Sequence, residues 1–533
     1  MAKHAFDSLL DSYFKQRLSD LPTEAVAAGL KSGEGSFDEA SASFSRDQHK
    51  KRQGFLKTAE SISPSTLSPD QHLDRLAARS QLTRECFDHD HGREQRDPDA
   101  VEGVLGMLMH ELMRGEDEPK RAAVNLRSLL NEAPVFLRNS ARLVKEPDPN
   151  WLANMKDSAS GAASLLSAVG TFLKSTKGRS NDTDLIKNCG TAVKRYAAQI
   201  GAKPKGKQGS YAIGETELQR RIQSELGLDY SLGEIESLAK SEIARVNSMI
   251  KELCRPYGRN KSPEVIVAKA RESWNPPADM LGLYRKETAR TARVFKKAKV
   301  MTFPKGDELD IRLVPDFMKH LFPLAAYSSP GPFDPKQKGV FWVNDLGAFE
   351  KNPDKAKAER QQHFGLVLTC AHEAYPGHHL QFITANRHAR KWRPLFAHAV
   401  FYEGWTLWCE QMTADLEVDS SPWLKIQQLH DALWRCHRIL IDLYLQTGEY
   451  SYRRAISHMQ EHLGMTKARA AADVNWYIGS PSVPMSYWLG RLENQRLHER
   501  LVSGRGWSQK KFNDWLLSHG TLPQSWLEKY MLD

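Results

Sequence analysis

Apolar residues recur at three- and four-residue steps along most of this 533-residue chain. That spacing puts the apolar side chains on one face of an α-helix, which must then bury that face against another element. Clear examples are residues 6–18, 73–86, 101–112, 165–173, 401–416, 423–445 and 452–463. The pattern therefore predicts a mainly α-helical fold.

Strand-like character is confined to the middle of the chain. Residues 309–314 alternate apolar and polar side chains, which is the period of a half-buried strand. Residues 324–327 and 339–344 follow on either side of a Pro/Gly turn, and the helical pattern returns near residue 362. We expect a small β-sheet directly before the helix that begins there.

The chain is long enough for one large domain over residues 1–533 or for two lobes within it. Residues 201–210, rich in Gly and Lys, are the best candidate for an exposed linker. The two lobes would then be a helical N-terminal lobe, 1–210, and a catalytic lobe, 211–533, that carries the sheet.

Composition places the chain among globular proteins, since 40% of its residues are hydrophobic and 26% are charged. The first residues lack the apolar core of a signal peptide, and no apolar run reaches the roughly 20 residues of a membrane span. We therefore expect a cytoplasmic protein with no membrane partner. None of the six cysteines forms a Cys-x-x-Cys pair, so neither a thiolate zinc site nor a disulfide framework is indicated.

The net charge is +10, and much of the excess falls in two clusters, 174–207 and 285–299. Such clusters attract nucleic acid in some proteins. Here no zinc finger, RNA-recognition motif or aromatic-basic interleaving accompanies them. The favoured interpretation is a solvated helical face and a flexible basic loop, and nucleic acid is not expected as a partner.

The segment from His372 to His379 reads His-Glu-Ala-Tyr-Pro-Gly-His-His. A metallopeptidase needs two histidines on one metal, a carboxylate base and usually a third protein ligand. In the common His-Glu-x-x-His form the histidines are four residues apart and share one helical face. Here the second histidine comes six residues later at His378 or seven later at His379.

A regular helix cannot bring either of these histidines beside His372. Six residues rotate the side chain by about 120°, and seven residues climb about 10 Å. Pro376-Gly377 can interrupt the helix, because proline breaks the helical hydrogen bonding and glycine accepts unusual dihedrals. A loop there could bring His378 back towards His372. We predict His372 and His378 as metal ligands, with His379 as the alternative, and Glu373 as the general base.

A third ligand is expected from a neighbouring helix. Glu403 lies 25 residues beyond His378, a spacing that suits a helix–loop–helix return, and His398 competes for the role. Glu410 lies two helical turns beyond Glu403 and could orient an imidazole, or could be a solvated carboxylate. Two histidines and a glutamate predict zinc, although other divalent ions also accept this set.

Two segments, 370–381 and 402–410, resemble a bacterial family catalogued as domain of unknown function 885. Its members carry His-Glu-x-x-Pro-Gly-His-His followed by Glu-Gly-Trp-Ala and are regarded as candidate zinc metallopeptidases. Weaker matches at 314–315, 341–344 and 512–523 extend the resemblance over most of the chain.

The resemblance implies a large helical metallopeptidase-like scaffold with a deep cleft, similar to zinc peptidases that use a glutamate as third ligand. It implies that His372, His378 and Glu403 bind zinc and that Glu373 is the base. By the same analogy, residues 325–327 would pair with extended substrate backbone.

The chain also departs from the family pattern at Val483 and Gln446, where many members have glutamine and histidine. These changes leave the substrate class open. Tyr487 is kept and is the candidate electrophile for the tetrahedral intermediate, or else a packed aromatic. Arg438 is the candidate for binding a substrate carboxylate, or else forms a structural ion pair with Asp442.

The function expected from the sequence is a zinc hydrolase that cleaves peptide or peptide-like amide bonds with metal-activated water. Its substrate would be a short peptide or small amide, with exo- or endo-cleavage and the oligomeric state left open. The alternative is a non-catalytic descendant that binds a peptide or another partner. The presence of Glu373 argues against that alternative, because a binding protein gains nothing from a base.

Overall fold

The computed structural model describes residues 4–258, 262–315 and 324–532. Contacts within it divide the chain into two compact units, Met1–Tyr211 and Ala212–Asp533. Helices predominate in both units, and the described residues form one small sheet, so the predicted mainly α fold is confirmed.

The first unit is helical throughout its described residues. Its α-helices are α1 (Ala5–Asp20), α2 (Pro22–Ala27), α3 (Ala42–Ser61), α4 (Pro69–Asp90), α5 (Arg93–Arg96), α6 (Ala100–Arg114), α7 (Pro119–Leu143), α8 (Pro149–Ser175) and α9 (Asp182–Gly201). Helix α7 buries a stripe that includes Leu126, Leu130, Ala133 and Leu137, the spacing of one helical face.

The second unit combines helices with the sheet. Its α-helices are α10 (Glu215–Ser224), α11 (Leu232–Cys254), α12 (Pro263–Ser273), α13 (Met280–Ala298), α14 (Pro353–Arg360), α15 (Leu366–Glu373), α16 (His378–Asn386), α17 (Ala399–Asp415), α18 (Trp423–Thr447), α19 (Tyr452–Leu463), α20 (Lys467–Gly479), α21 (Val483–His498), α22 (Gln509–Leu517) and α23 (Gln524–Met531). Short 3₁₀ turns occur at Lys31–Gly33, Pro64–Thr66, Arg255–Tyr257, Gln361–His363 and Arg393–Leu395, and a π-helical turn at Glu499–Gly504.

Three strands form the sheet in the order β1-β3-β2. They are β1 (Glu308–Leu313), β2 (Ala325–Ser328) and β3 (Lys338–Val343). Strand β1 runs parallel to β3 and β2 runs antiparallel to it. Each strand overlaps one of the three segments predicted from the sequence, and the most apolar of them, β3, occupies the centre.

Helix α15 is held in place by an apolar cluster against the sheet and α13. Phe341 and Val343 of β3 pack with Leu366 and Cys370 of α15, and Tyr284 of α13 completes the contact. The Cys370 side chain is fully buried, and burial raises the pKa of its thiol to about 12. It therefore behaves as a small hydrophobic residue.

Helices α17 and α21 cross at two glycines. A Cβ atom added to Gly404 would lie 2.5 Å from the carbonyl carbon of Gly490. One added to Gly490 would lie 1.9 Å from the carbonyl oxygen of Val400. The backbones therefore touch, and residues next to Gly404 on α17 are fixed directly against α21.

The basic residues predicted to form a solvated helical face lie mainly on α13. Its buried positions include Met280, Tyr284 and Phe295, whereas Arg285, Lys286, Arg293, Lys296 and Lys297 are exposed. Among the described residues, no helix is both long enough and apolar enough to cross a lipid bilayer.

Candidate metal centre

The helix breaks between Glu373 and His378. Helix α15 ends at Glu373 and α16 begins at His378, so the intervening residues form the loop that the Pro-Gly pair predicts. A Cβ atom on Gly377 would lie 1.9 Å from the carbonyl oxygen of His372, so only glycine fits there. Trp405 of α17 donates from its indole N–H to the carbonyl oxygen of Pro376 at 2.9 Å, which fixes the loop.

This loop brings His378 back beside His372 and against Glu403. Glu403 Oε2 lies 3.6 Å from His372 Nε2 and 3.7 Å from His378 Nε2, and all three atoms lie within 4.8 Å of one another. We call His372, His378 and Glu403 the metal group. The two imidazole planes are 85° apart.

The spacing within the metal group suits an ion better than direct hydrogen bonds. Hydrogen bonds from nitrogen to oxygen are about 2.7–3.2 Å long. Ligand atoms about 2.1 Å from a tetrahedral ion lie about 3.4 Å apart, close to the values found here. Glu403 Oε2 is buried and has no hydrogen-bond partner among the described residues. The residues present therefore fit a zinc-sized ion.

His372 is oriented by a second carboxylate. Its Nδ1 lies 2.8 Å from Glu410 Oε1, and Arg435 Nη2 donates to the same oxygen at 3.5 Å. Burial disfavours the charged imidazole, but Glu403 and Glu410 outweigh it and raise the pKa of His372 to about 10. The bond to Glu410 leaves Nε2 facing the metal group, as ligand histidines require.

Among the described residues, no carboxylate bonds the other ring nitrogen of His378, Nδ1. Its ring lies 5.7 Å from that of Phe382 and 6.0 Å from that of Tyr402, so aromatic packing orients it. Burial lowers the pKa of His378 to about 4, which keeps the imidazole neutral. The pKa of Glu403 is held below its usual value because its two histidines and Tyr487 outweigh the effect of burial.

Glu373, the predicted base, follows His372 directly and is half-buried. Burial raises the pKa of its carboxyl to about 7, and the negative charges of Glu403 and Glu410 act in the same direction. The backbone of Tyr327 in β2 hydrogen-bonds this carboxylate. Glu373 therefore lies beside strand β2.

The two rival histidines lie outside the metal group. His379 is fully buried, with Nδ1 3.1 Å from the Tyr327 hydroxyl and Nε2 3.3 Å from Asp307 Oδ2. His398 has its Nδ1 2.9 Å from the carbonyl oxygen of Glu225. Of the alternatives drawn from the sequence, the structure thus places His378 and Glu403 beside His372.

Tyr487 and Arg438 lie on the α21 side of the metal group. The Tyr487 hydroxyl lies next to the Glu403 carboxylate and lowers its pKa. Arg438 packs on the Tyr487 ring, with its Cζ 4.5 Å from the ring centroid. Asp442 is not its ion-pair partner, since that carboxylate accepts the backbone N–H of Met485 at 3.3 Å.

The two positions that depart from the family pattern make local contacts. Gln446 is fully buried and donates to the carbonyl oxygen of Tyr477 at 3.3 Å. Val483 is the first residue of α21.

Sequence reasoning missed several groups around the site. Asp307 accepts hydrogen bonds from Tyr375 and His379, and Arg435 binds Glu410. These contacts join segments that are distant in the sequence. The sequence therefore shows only that the residues are of types that can form hydrogen bonds or ion pairs.

A second cluster that could hold an ion lies in the first unit. Asp90 Oδ1 is 3.1 Å from His49 Nε2 and 3.4 Å from His89 Nδ1. The described residues therefore contain two groups that could bind a metal. In the sequence, the adjacent residues His89 and Asp90 could have indicated this second group.

A model of the bacterial proteins of unknown function named DUF885 matches residues 22–531. The chain belongs to the DUF885 family. None of the curated proteins compared with it matches. Two solved structures share its fold. Both are described as candidate lipoproteins, and the first is also described as being of unknown function.

The first of these structures, from Shewanella oneidensis, is 15% identical with a TM-score of 0.79 and covers 100% of both chains. The second, from Colwellia psychrerythraea, is 17% identical with a TM-score of 0.78 and covers 99% of this chain and 98% of its own. Lipoproteins are attached to a membrane or exported, so the cytoplasmic location predicted from the sequence is overturned.

Proposed function

We propose that this DUF885 protein is a zinc-dependent hydrolase of peptide or peptide-like amide bonds. The observation that carries the proposal is the triangle formed by Glu403 Oε2 and the Nε2 atoms of His372 and His378. Its edges exceed hydrogen-bonding distance, and the carboxylate oxygen is buried without a partner in the described chain. A bound cation satisfies all three atoms at once.

A zinc ion in this group would supply Lewis-acid polarisation of the substrate carbonyl and lower the pKa of water. The remaining chemistry belongs to the chain. Glu373 lies next to His372 and takes the proton of the attacking water on its carboxylate. It then returns that proton to the nitrogen of the leaving amine, which completes hydrolysis without an added acid.

Tyr487 and strand β2 complete the proposed machinery. The Tyr487 hydroxyl is a hydrogen-bond donor at Glu403 and can turn towards a developing oxyanion beside it. Strand β2 pairs with β3 on one side only among the described strands, which leaves its other edge for an extended substrate.

The decisive experiment compares wild-type protein with Glu373→Gln after zinc loading. Hydrolysis of a library of short peptides should fall by at least about 100-fold in the variant, because a general base contributes roughly 10²–10⁴-fold. Zinc content, measured by elemental analysis, should stay at the wild-type level. Glu252→Gln, at an exposed position of α11, is the matched control and should retain full activity.

Unchanged hydrolysis in Glu373→Gln would refute the assignment of the base. A wild-type protein that binds zinc and peptides but cleaves none of them would instead favour the peptide-binding alternative.

A further inference from the structure

Arg438 is a buried cation in the middle of α18, with only 6% of the residue exposed. Its Cζ lies 4.0 Å from the ring centroid of Trp434 and 4.5 Å from that of Tyr487. The rings of Trp476 and Tyr477 follow at 5.3 and 5.6 Å. Four aromatic rings therefore surround the guanidinium, and such rings attract a cation that has lost its water.

The hydrogen bonds of this guanidinium are incomplete. Nε donates to the Tyr477 hydroxyl at 2.9 Å, but Nη1 is buried and has no partner among the described residues. No carboxylate in that part of the chain forms an ion pair with Arg438. Of the nearby acids, Asp473 lies 3.8 Å from Arg469 instead.

Three other buried arginines are paired with carboxylates, and a fourth, Arg491, donates from both Nη atoms to the side chains of Gln495 and Gln411. Arg17 binds Glu24 and Glu85, Arg127 binds Asp182, and Arg221 binds Glu217. Burying a charge without a partner costs several kcal/mol. The contrast indicates that the partner of Arg438 comes from outside the described chain.

The position of Arg438 relates it to the metal group. The Tyr487 ring contacts the guanidinium, and the hydroxyl of the same side chain lies next to Glu403. One tyrosine thus separates the unpaired cation from a residue of the metal group. An anion bound at Nη1 would therefore belong to a molecule that also reaches the metal group.

We propose that Arg438 binds the free terminal carboxylate of the substrate, so that the protein acts on short peptides from their C-terminal end. A guanidinium is planar, and its N–H groups can bind a carboxylate through two parallel hydrogen bonds. This inference rests on the proposed hydrolase function. It makes cleavage exopeptidic and restricts the substrate class to peptides with an unmodified C-terminus.

The first test uses matched peptides that differ only in having a C-terminal carboxylate or a C-terminal amide. For the zinc-loaded wild-type protein, kcat/KM should be on the order of 100-fold higher for the acid. Arg438→Gln should remove most of that preference by slowing cleavage of the acid while leaving the amide within about threefold. Arg438→Lys should keep only part of the preference, because lysine lacks the two-pronged geometry.

Arg469→Gln is the control for packing on the same aromatic ring. Arg469 lies 5.3 Å from the Trp434 centroid but is half-buried and paired with Asp473. Its replacement should leave the acid-to-amide ratio unchanged. Equal slowing of acid and amide in Arg438→Gln would mean that the arginine only supports Tyr487, and would overturn the inference.

A second readout needs neither zinc nor catalysis. Calorimetry on metal-free protein should detect binding of an N-acetylated amino acid but not of its amide, and Arg438→Gln should abolish it. Wild-type hydrolysis that ignores the C-terminal group would overturn the inference and leave the hydrolase proposal standing. Carboxylate-selective binding without any hydrolysis would refute the hydrolase proposal and leave Arg438 as a carboxylate-binding residue. Far-UV circular dichroism on each variant confirms that it is folded.

Discussion

Replacing Gly404 by alanine tests how the metal group is built. The added Cβ would lie 2.5 Å from the carbonyl carbon of Gly490 and 2.7 Å from its Cα. Ordinary contact between carbon atoms is about 3.5 Å, so α17 and α21 must separate by about 1 Å. Both neighbours are backbone atoms, which cannot rotate away as a side chain could.

The separation acts directly on Glu403, the preceding residue. Metal–ligand distances tolerate errors of about 0.2 Å, so a shift of about 1 Å removes the carboxylate from productive geometry. Zinc affinity should fall by at least 10- to 100-fold, the range seen when ligand orientation is lost. Overpacking at the crossing should also destabilise the metal-free protein by about 1–3 kcal/mol.

The assay is competition for zinc against a chromophoric chelator, together with urea unfolding of the metal-free protein. Gly233→Ala is the control, since that position in α11 has no atom within 4 Å of an added Cβ. Alanine there should keep the zinc affinity and raise stability by up to about 1 kcal/mol. A Gly404→Ala protein with zinc affinity within twofold of wild type would refute the reasoning.

Two further predictions concern buried charges. Glu410→Gln keeps the shape of the residue but removes the charge that orients His372 at 2.8 Å, so chelator competition should report zinc binding weaker by about 10- to 100-fold; unchanged affinity would contradict this role. Burial lowers the pKa of His437 to about 3 and that of its partner His458 to about 4, below the unfolded value near 6.5. Stability should therefore be full above pH 6.5 and fall as the pH drops, by about 2 kcal/mol per histidine at pH 5. Urea unfolding at pH 7 and pH 5 should show a smaller loss for His437→Gln, and an equal loss would exclude this histidine as a cause.

Most of the secondary structure could be predicted from periodicity alone. The seven helical segments and three strands named from the sequence all overlap observed elements, because burial of one face requires the matching apolar spacing. The break between α15 and α16 was also predictable, because six residues of continuous helix would turn His378 away from His372. Proline and glycine at 376 and 377 mark where the chain turns.

The surroundings of the metal group were harder to predict. The rings around Arg438 come from α18, α20 and α21, and no local pattern indicates that these helices meet there. The alternative drawn from the sequence, an ion pair of Arg438 with Asp442, does not form, for a related reason. Arg438 and Asp442 lie four residues apart on α18, a spacing that allows an ion pair. The start of α21 instead supplies Asp442 with backbone N–H donors.

The location was predicted wrongly because composition and apolar runs describe only how a chain meets water or a bilayer. A covalently attached lipid changes neither the composition nor the apolar runs of the folded part of a protein. The descriptions of the two solved structures as candidate lipoproteins are the finding that contradicts the predicted location.

Helix α17 contributes to the site twice within three residues. Glu403 provides the carboxylate, and Trp405 holds the Pro376 carbonyl of the loop that carries the second histidine. Docking of this one helix therefore sets the carboxylate and the loop in the same event. A substitution that displaces α17 would therefore disturb the third ligand and the second histidine together.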